Sequence, residues 1–94
     1  MSKLNELKKY SNPEVVMMKA RDMGLNTIQV STTKDKKYMV YDSNKKLVHF
    51  GQMGYEDYTK HKDNKRRDNF KKRSIKWGYA PKYTPAWLSF WLLW

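Results

Sequence analysis

The sequence predicts an α+β fold in which a three-stranded antiparallel sheet is flanked by an N-terminal helix, a basic helix and a short aromatic C-terminal helix. Apolar residues follow a helical period before Gly24 and a strand period after it. Residues 60–76 form a run without Gly or Pro in which most residues tolerate a helix. Residues 86–94 are almost wholly apolar, which is typical of a buried helix.

The first segment, residues 2–10, predicts a short helix, because Leu4 and Leu7 lie one helical turn apart among polar residues. Such a short helix frays easily, so we expect residues 1–11 to be an N-terminal extension. The 94 residues fit a single domain, 1–94, with one small core.

The next segment predicts an amphipathic helix over residues 13–23. Asn12 is a favourable N-cap and Pro13 a favourable first residue, while Gly24 can end the helix in the left-handed conformation. The apolar face of this helix carries Val16, Ala20 and Met23. This face needs a cover, which the sheet can provide.

Alternating polar and β-branched or aromatic residues predict strands at 27–31, 37–41 and 46–50. A polar loop at 32–36 and a turn at 42–44 join them as an antiparallel meander. The last two strands carry apolar groups on both faces. We therefore expect one face of the sheet to pack on helices and the other to be partly covered or used.

The basic stretch at 60–76 has nine Lys or Arg residues and two Asp residues, a net charge of +7. Asp63 and Asn64 can cap a new helix, so the stretch is either one helix or two with a kink. Phe70 and Trp77 lie seven residues apart and form a narrow apolar seam. The remaining circumference must face solvent or a ligand.

The C-terminal segment begins with Thr84 as a cap and Pro85 in the first turn. Its three tryptophans, Trp87, Trp91 and Trp94, predict that it is buried in the core. If it is instead exposed, it predicts a homodimer or a docking site for a protein partner. The apolar run is far shorter than the ~20 residues that span a bilayer, and the N-terminus has no apolar run of signal-peptide length. We therefore expect a protein that is neither transmembrane nor secreted and that has no membrane partner.

The formal charge of +11 is large for a chain of this length and favours a polyanionic partner. The fourteen aromatic residues argue against disorder, and the absence of Cys excludes disulfides and thiolate metal sites. Because cations outnumber acids so strongly in residues 60–76, contact with nucleic acid is favoured over a role in solubility alone.

We expect a protein that binds nucleic acid through its phosphates, with little sequence preference. DNA is expected rather than RNA, and duplex DNA in particular. The expected contact residues are Lys62, Lys65, Arg66, Arg67, Lys71, Lys72, Arg73 and Lys76, with Lys36, Lys37, Lys45 and Lys46 of the hairpin in support. Replacing Arg66 and Arg67 together should weaken binding without lowering the melting temperature. Base stacking on Tyr38 or Tyr41 is less favoured than packing.

Catalysis and metal binding are less favoured than a binding role. His49 and His61 have no ligand spacing, and no cofactor is implied. Glu56 and Asp57 are more typical of helix capping and salt bridges than of acid–base chemistry, so we expect a protein that is not an enzyme. A small nuclease that uses Glu56, Asp57 and His61 is the remaining enzymatic alternative.

Three stretches of the chain carry a resemblance to a known family: residues 49–73, HFGQMGYEDYTKHKDNKRRDNFKKR, the preceding KDKKYMVYD, and the final YTPAWLSFWLLW. With these stretches the chain resembles a family of small uncharacterised basic proteins of large DNA viruses of the mimivirus and phycodnavirus kind. The resemblance spans residues 12–94. It implies a viral protein in the virion or in the cytoplasm or nucleus of the infected cell, which either binds the genome or docks as a virion structural adaptor on acidic capsid or core proteins. It implies no active-site residues.

Overall fold

A computed structural model describes residues 3–25 and 27–94. It confirms the predicted α+β fold, with a three-stranded antiparallel sheet in the order β1-β2-β3 and helices around it. The strands are β1 (Gln29–Val30), β2 (Lys36–Tyr41) and β3 (Leu47–Gln52). The helices are α1 (Lys3–Leu7), α2 (Pro13–Asp22), α3 (Tyr58–His61), α4 (Asn64–Arg73), α5 (Ile75–Gly78) and α6 (Pro85–Leu88), followed by a π-helical segment (Ser89–Leu93).

The N-terminal residues pack more firmly than their sequence predicts. The Leu7 side chain of α1 is fully buried in the core, so α1 belongs to the packed domain and is not a frayed extension. Residues 1 and 2, which the predicted extension included, lie outside the described residues. Among those that are described, no helix has the length and apolar character needed to cross a membrane.

Helix α2 begins and ends as its sequence predicts. The Asn12 side chain accepts a hydrogen bond from the Glu14 backbone N–H at 3.2 Å, which satisfies one of the free donors of the first turn. Val16 and Ala20 are fully buried. Gly24 follows the helix with a φ of +77°, the left-handed conformation that glycine adopts most easily.

The sheet is centred on β2, and β1 is shorter than predicted. Tyr38 in β2 lies opposite Phe50 in β3, and their ring centroids are 5.8 Å apart. Both side chains are fully buried, whereas Tyr41 is 42% exposed, because residues three apart in a strand point to opposite faces. The predicted turn between these strands is confirmed, and the Asp42 carboxylate accepts hydrogen bonds from the backbone of the turn.

Gly51 lies inside β3, where the strand approaches the C-terminal segment closely. Its φ is +81°, and a Cβ at this position would lie 2.9 Å from the Leu93 side chain. Glycine is therefore required both by backbone conformation and by space. This close approach brings β3 against the π-helical segment.

The basic stretch is divided into α3, α4 and α5, so the predicted alternative with a kink is confirmed. Lys62 adopts a left-handed φ of 55° and ends α3. The Asp63 carboxylate then caps α4 by accepting hydrogen bonds from the backbone N–H groups of Lys65 and Arg66. The second break, at Ser74, was not predicted.

The C-terminal segment contributes to the core mainly through its leucines. Thr84 caps α6 as predicted, accepting a hydrogen bond from the Trp87 N–H at 3.3 Å. The buried side chains of the segment are Leu88, Phe90, Leu92 and Leu93. Trp91 is 43% exposed, so the expectation that all its tryptophans are buried is wrong for this residue.

A buried polar network joins the sheet to the loop before α3. Lys37 Nζ donates to the Asp57 carboxylate at 3.0 Å and to the Tyr55 carbonyl at 2.5 Å, and both charged side chains are almost completely buried. Asp57 also accepts a hydrogen bond from Thr59. Ser11 extends the network, because its hydroxyl lies 2.7 Å from the Tyr38 hydroxyl. These contacts fix the position of the chain just before the basic helices begin.

Replacing Asp57 with Ala should lower the free energy of unfolding by ~3–5 kcal/mol, because the buried Lys37 ammonium would lose its counter-charge. Asp68→Ala, which removes an exposed carboxylate of α4, is the control and should change it by less than ~0.5 kcal/mol. Urea unfolding followed by circular dichroism measures both values. Equal stabilities of the two variants would contradict a structural role for the ion pair.

The stability of the protein should fall as the pH rises above about 10. Burial raises the pKa of the Tyr38 hydroxyl far above its ordinary value of 10.0. The unfolded chain therefore releases this proton while the folded chain keeps it, which costs up to ~1.4 kcal/mol for each pH unit.

Urea unfolding of the wild type and of Tyr38→Phe between about pH 9 and about pH 11 isolates this effect, since only the wild type carries the hydroxyl. The wild type should lose stability more steeply than the variant. Parallel pH curves would mean that Tyr38 ionises equally well in the folded state.

Candidate nucleic-acid interface

Helix α4 is attached to the domain by one buried side chain, Phe70. The Phe70 ring stacks on the Trp94 ring, with centroids 4.2 Å apart and planes within 9°. Trp77 meets the same ring edge-on at 5.7 Å, as the predicted seam requires. Because the contact with the core is this narrow, most of the helix circumference faces solvent.

The outer face of α4, opposite Phe70, carries Lys65 and Lys72, which lie two helical turns apart and are exposed. Lys62 and Lys76 are exposed at the two ends of the helix. Among residues 3–25 and 27–94, the ion pairs within 4.0 Å are Lys37–Asp57 and Arg66–Glu56, and neither involves these lysines. The exposed Asp68 lies between Lys65 and Lys72 on the same face, so the outer face is positive in net charge but carries one carboxylate.

One flank of α4 borders a groove of about 620 Å³, which we call the α4 groove. Arg66 and Arg73 lie along this flank, and the opposite side is formed by the ends of β2 and β3 and by the C-terminal segment. Arg66 Nη1 lies 3.5 Å from the Glu56 carboxylate, and both side chains are about half exposed. Lys36 also borders the groove.

The other flank of α4 packs its cations on aromatic rings. Arg67 Nε donates a hydrogen bond to the backbone oxygen of Trp94 at 2.7 Å, and its guanidinium carbon lies 5.2 Å from the Tyr58 ring centroid. Lys71 Nζ lies 4.3 Å from the Phe90 ring centroid. These two residues, which the sequence placed in the contact set, therefore also hold α4 on the domain.

Lys19 of α2 lies near this flank and was not identified from the sequence as a candidate contact residue. Burial lowers the pKa of Lys19, and the nearby Arg67 charge lowers it further. The pKa of Lys71 is also lowered, first by burial and then by the charges of Arg67 and Lys19. Three cations thus lie close enough to repel one another, an arrangement that a bound anion would relieve. A lysine on a separate helix gives no sequence signal for such a cluster.

The hairpin lysines are not brought together. Lys37 was predicted to contact phosphates, but this prediction is wrong, because its side chain is buried and paired with Asp57. Burial lowers the pKa of Lys37, and the Asp57 charge opposes this effect. Lys36 lies at the groove, whereas Lys45 and Lys46 lie in the turn at the opposite end of the hairpin.

The carboxylates and His61 are engaged in structural contacts. Asp57 is buried with Lys37, and Glu56 lies beside Arg66. His61 Nδ1 accepts a hydrogen bond from the Asp63 backbone N–H at 2.9 Å. The described part of the chain contains no group of three or more His, Asp or Glu side chains arranged to hold a metal ion.

One protein family matches the chain. The family DUF5754, described as a family of unknown function, matches residues 26–74, and the chain belongs to it. The matched region contains the sheet and α4, and it is shorter than the expected resemblance over residues 12–94. Neither a curated protein nor a solved structure gives a significant match.

Arg67→Ala should lower the melting temperature, in contrast to the sequence-based expectation for the arginine pair. The variant loses the bond to Trp94 and the packing on Tyr58, which together contribute about 1 kcal/mol, or ~4–8 °C for a domain of this size. Arg66→Ala, which removes only an exposed ion pair, is the matched control and should leave the melting temperature nearly unchanged. Identical melting curves for the two variants would contradict this assignment.

Proposed function

We propose that this protein binds nucleic acid through phosphate contacts made by α4, with little sequence preference. The observation that carries the proposal is the outer face of α4, where Lys65 and Lys72 are exposed and lie in no ion pair described for the chain. Six of the ten residues of this helix are Lys or Arg and one is Asp. A helix with so large an excess of positive charge costs stability by self-repulsion unless a polyanion neutralises it.

The proposed contact set leaves out three residues of the sequence-based set, and it moves Arg67 and Lys71 to a supporting role because they also pack on aromatic rings. Lys37 is left out because it is buried, and Lys45 and Lys46 are left out because they lie at the far end of the hairpin. The proposed contacts are Lys62, Lys65, Arg66, Lys72, Arg73 and Lys76, with support from Lys36, Lys71 and Arg67. Duplex DNA is the proposed first ligand, since phosphates spaced regularly along a backbone suit a row of cations.

The rival proposal is a structural or adaptor protein whose basic face docks on acidic proteins. The exposed Trp91 and Tyr79 favour it, because aromatic residues are enriched at protein interfaces. A viral origin, with a viral genome or acidic capsid or core proteins as partners, also stays a prediction. Absence of any complex with DNA at low salt would favour the adaptor over the nucleic-acid-binding protein.

Replacing Lys65 and Lys72 together with Gln should weaken duplex DNA binding for all sequences about equally. Two lost phosphate contacts should make the slope of log K against log salt concentration shallower by ~1.8. Gel-shift or fluorescence-anisotropy titrations at several salt concentrations measure this slope.

The matched control replaces Lys45 and Lys46 with Gln, which removes the same charge at the far end of the hairpin. This variant should keep the wild-type slope. If both double variants make the salt slope shallower by the same amount, total charge rather than the α4 surface determines binding, and the proposed interface is wrong.

A further inference from the structure

The α4 groove differs in chemistry from the outer face of the helix beside it. Most of its lining surface is apolar, although six of its sixteen lining residues are charged, and about 620 Å³ is within the range of pockets that hold small organic ligands. The floor includes Lys37 and Asp57, whose charges are paired with each other. The groove therefore offers a place for a flat apolar group, with charged contacts at its rim.

Two aromatic side chains that line the groove have exposed surface: Tyr55, which is 71% exposed and directly precedes Glu56 in the chain, and Trp77, which lies beyond the Arg73 end of α4. The Phe70 ring is covered on one face by Trp94 and touched at its edge by Trp77, so it is 9% exposed and has little surface left for a ligand. Trp77 itself is 42% exposed although it lines the groove. A large ring that is left half exposed beside cations is typical of a stacking platform for bases.

The cationic contact at the rim is Arg73, supported by Lys36. Arg66 lies beside the Glu56 carboxylate, whose negative charge would repel a phosphate at that end of the groove. Arg73 lies two helical turns away and is in none of the ion pairs found in the described residues. A phosphate is therefore better accommodated near Arg73 than near Arg66.

We infer that the α4 groove binds one unstacked nucleotide of a single-stranded nucleic acid, with the base against Trp77 and its phosphate near Arg73. This inference rests on the proposed function and adds to it a single-stranded ligand. A polynucleotide is favoured over a free nucleotide, because the groove adjoins the outer face, where Lys65 and Lys72 can take the next phosphates. Base stacking of this kind tolerates any sequence.

The test is the affinity for a single-stranded oligothymidine compared with a duplex of the same length, measured by fluorescence anisotropy at low salt. Trp77→Ala should weaken single-strand binding about tenfold or more and leave duplex binding within about twofold. Trp91→Ala is the matched control, because Trp91 is equally exposed, at 43%, but does not line the groove. It should leave both affinities unchanged.

Two further measurements do not depend on the folding of Trp77→Ala. An abasic oligonucleotide with the same phosphates but no bases should bind the wild type about tenfold more weakly than oligothymidine. Arg73→Gln, a change at an exposed position of α4, should weaken oligothymidine binding more than Arg66→Gln does.

The outcomes separate this inference from the proposed function. Duplex binding that depends on Lys65 and Lys72, together with equal affinity for the abasic strand and oligothymidine, would overturn the groove inference and leave the proposed function intact. Equal losses of single-strand affinity in Trp77→Ala and Trp91→Ala would also overturn the groove inference. Failure to bind either duplex or single strand at low salt would overturn both.

Discussion

The buried ion pair between Lys37 and Asp57 determines how the basic helices are mounted on the sheet. Lys37 belongs to the central strand, and Asp57 immediately precedes α3, twenty residues further along the chain. A buried pair of this kind adds little net stability, but neither partner can leave without exposing the other as an uncompensated charge. The loop before α3 is therefore held in one position, and Thr59 and Ser11 tie the same position to the N-terminal helices.

From that fixed point α4 runs across the domain with a single buried anchor. The cations of α4 consequently have different environments. Arg67 and Lys71 pack on aromatic rings, and Arg66 and Arg73 border the groove. The lysines of the outer face, Lys65 and Lys72, are exposed and lie in neither ion pair found among the described residues. A helix with this composition would be a poor independent unit, because its charges repel one another and its apolar seam is narrow. The Phe70–Trp94 stack compensates for this weakness.

The family match and the groove overlap only in part. Residues 26–74 include both partners of the buried ion pair and all of α4. The opposite side of the groove is formed by the ends of β2 and β3, which lie in the matched region, and by the C-terminal segment, which lies outside it. The ion pair that fixes the loop before the basic helices is thus contained in the matched region, whereas Trp94, on which Phe70 stacks, lies outside it. The groove depends on the part of the chain that follows it.

Local signals in the sequence determined the order and type of the elements. Asn12, Asp63 and Thr84 were each predicted as helix caps and each accepts the backbone hydrogen bonds of a cap, because capping depends only on residues two or three positions away. The alternation of residues likewise predicted the meander, although it did not give the short length of β1. These features follow from the neighbouring residues alone.

The site depends on contacts between residues distant in sequence, and there the sequence alone was insufficient. Lys37 was expected to be a surface cation, since nothing near it indicates the partner that buries it. Trp91 was expected to be buried, but its leucine and phenylalanine neighbours fill the core instead. The amino-acid composition alone showed the excess of cations. Which of them are exposed was decided only by the tertiary structure, because burial and ion pairing are set by residues that folding brings together.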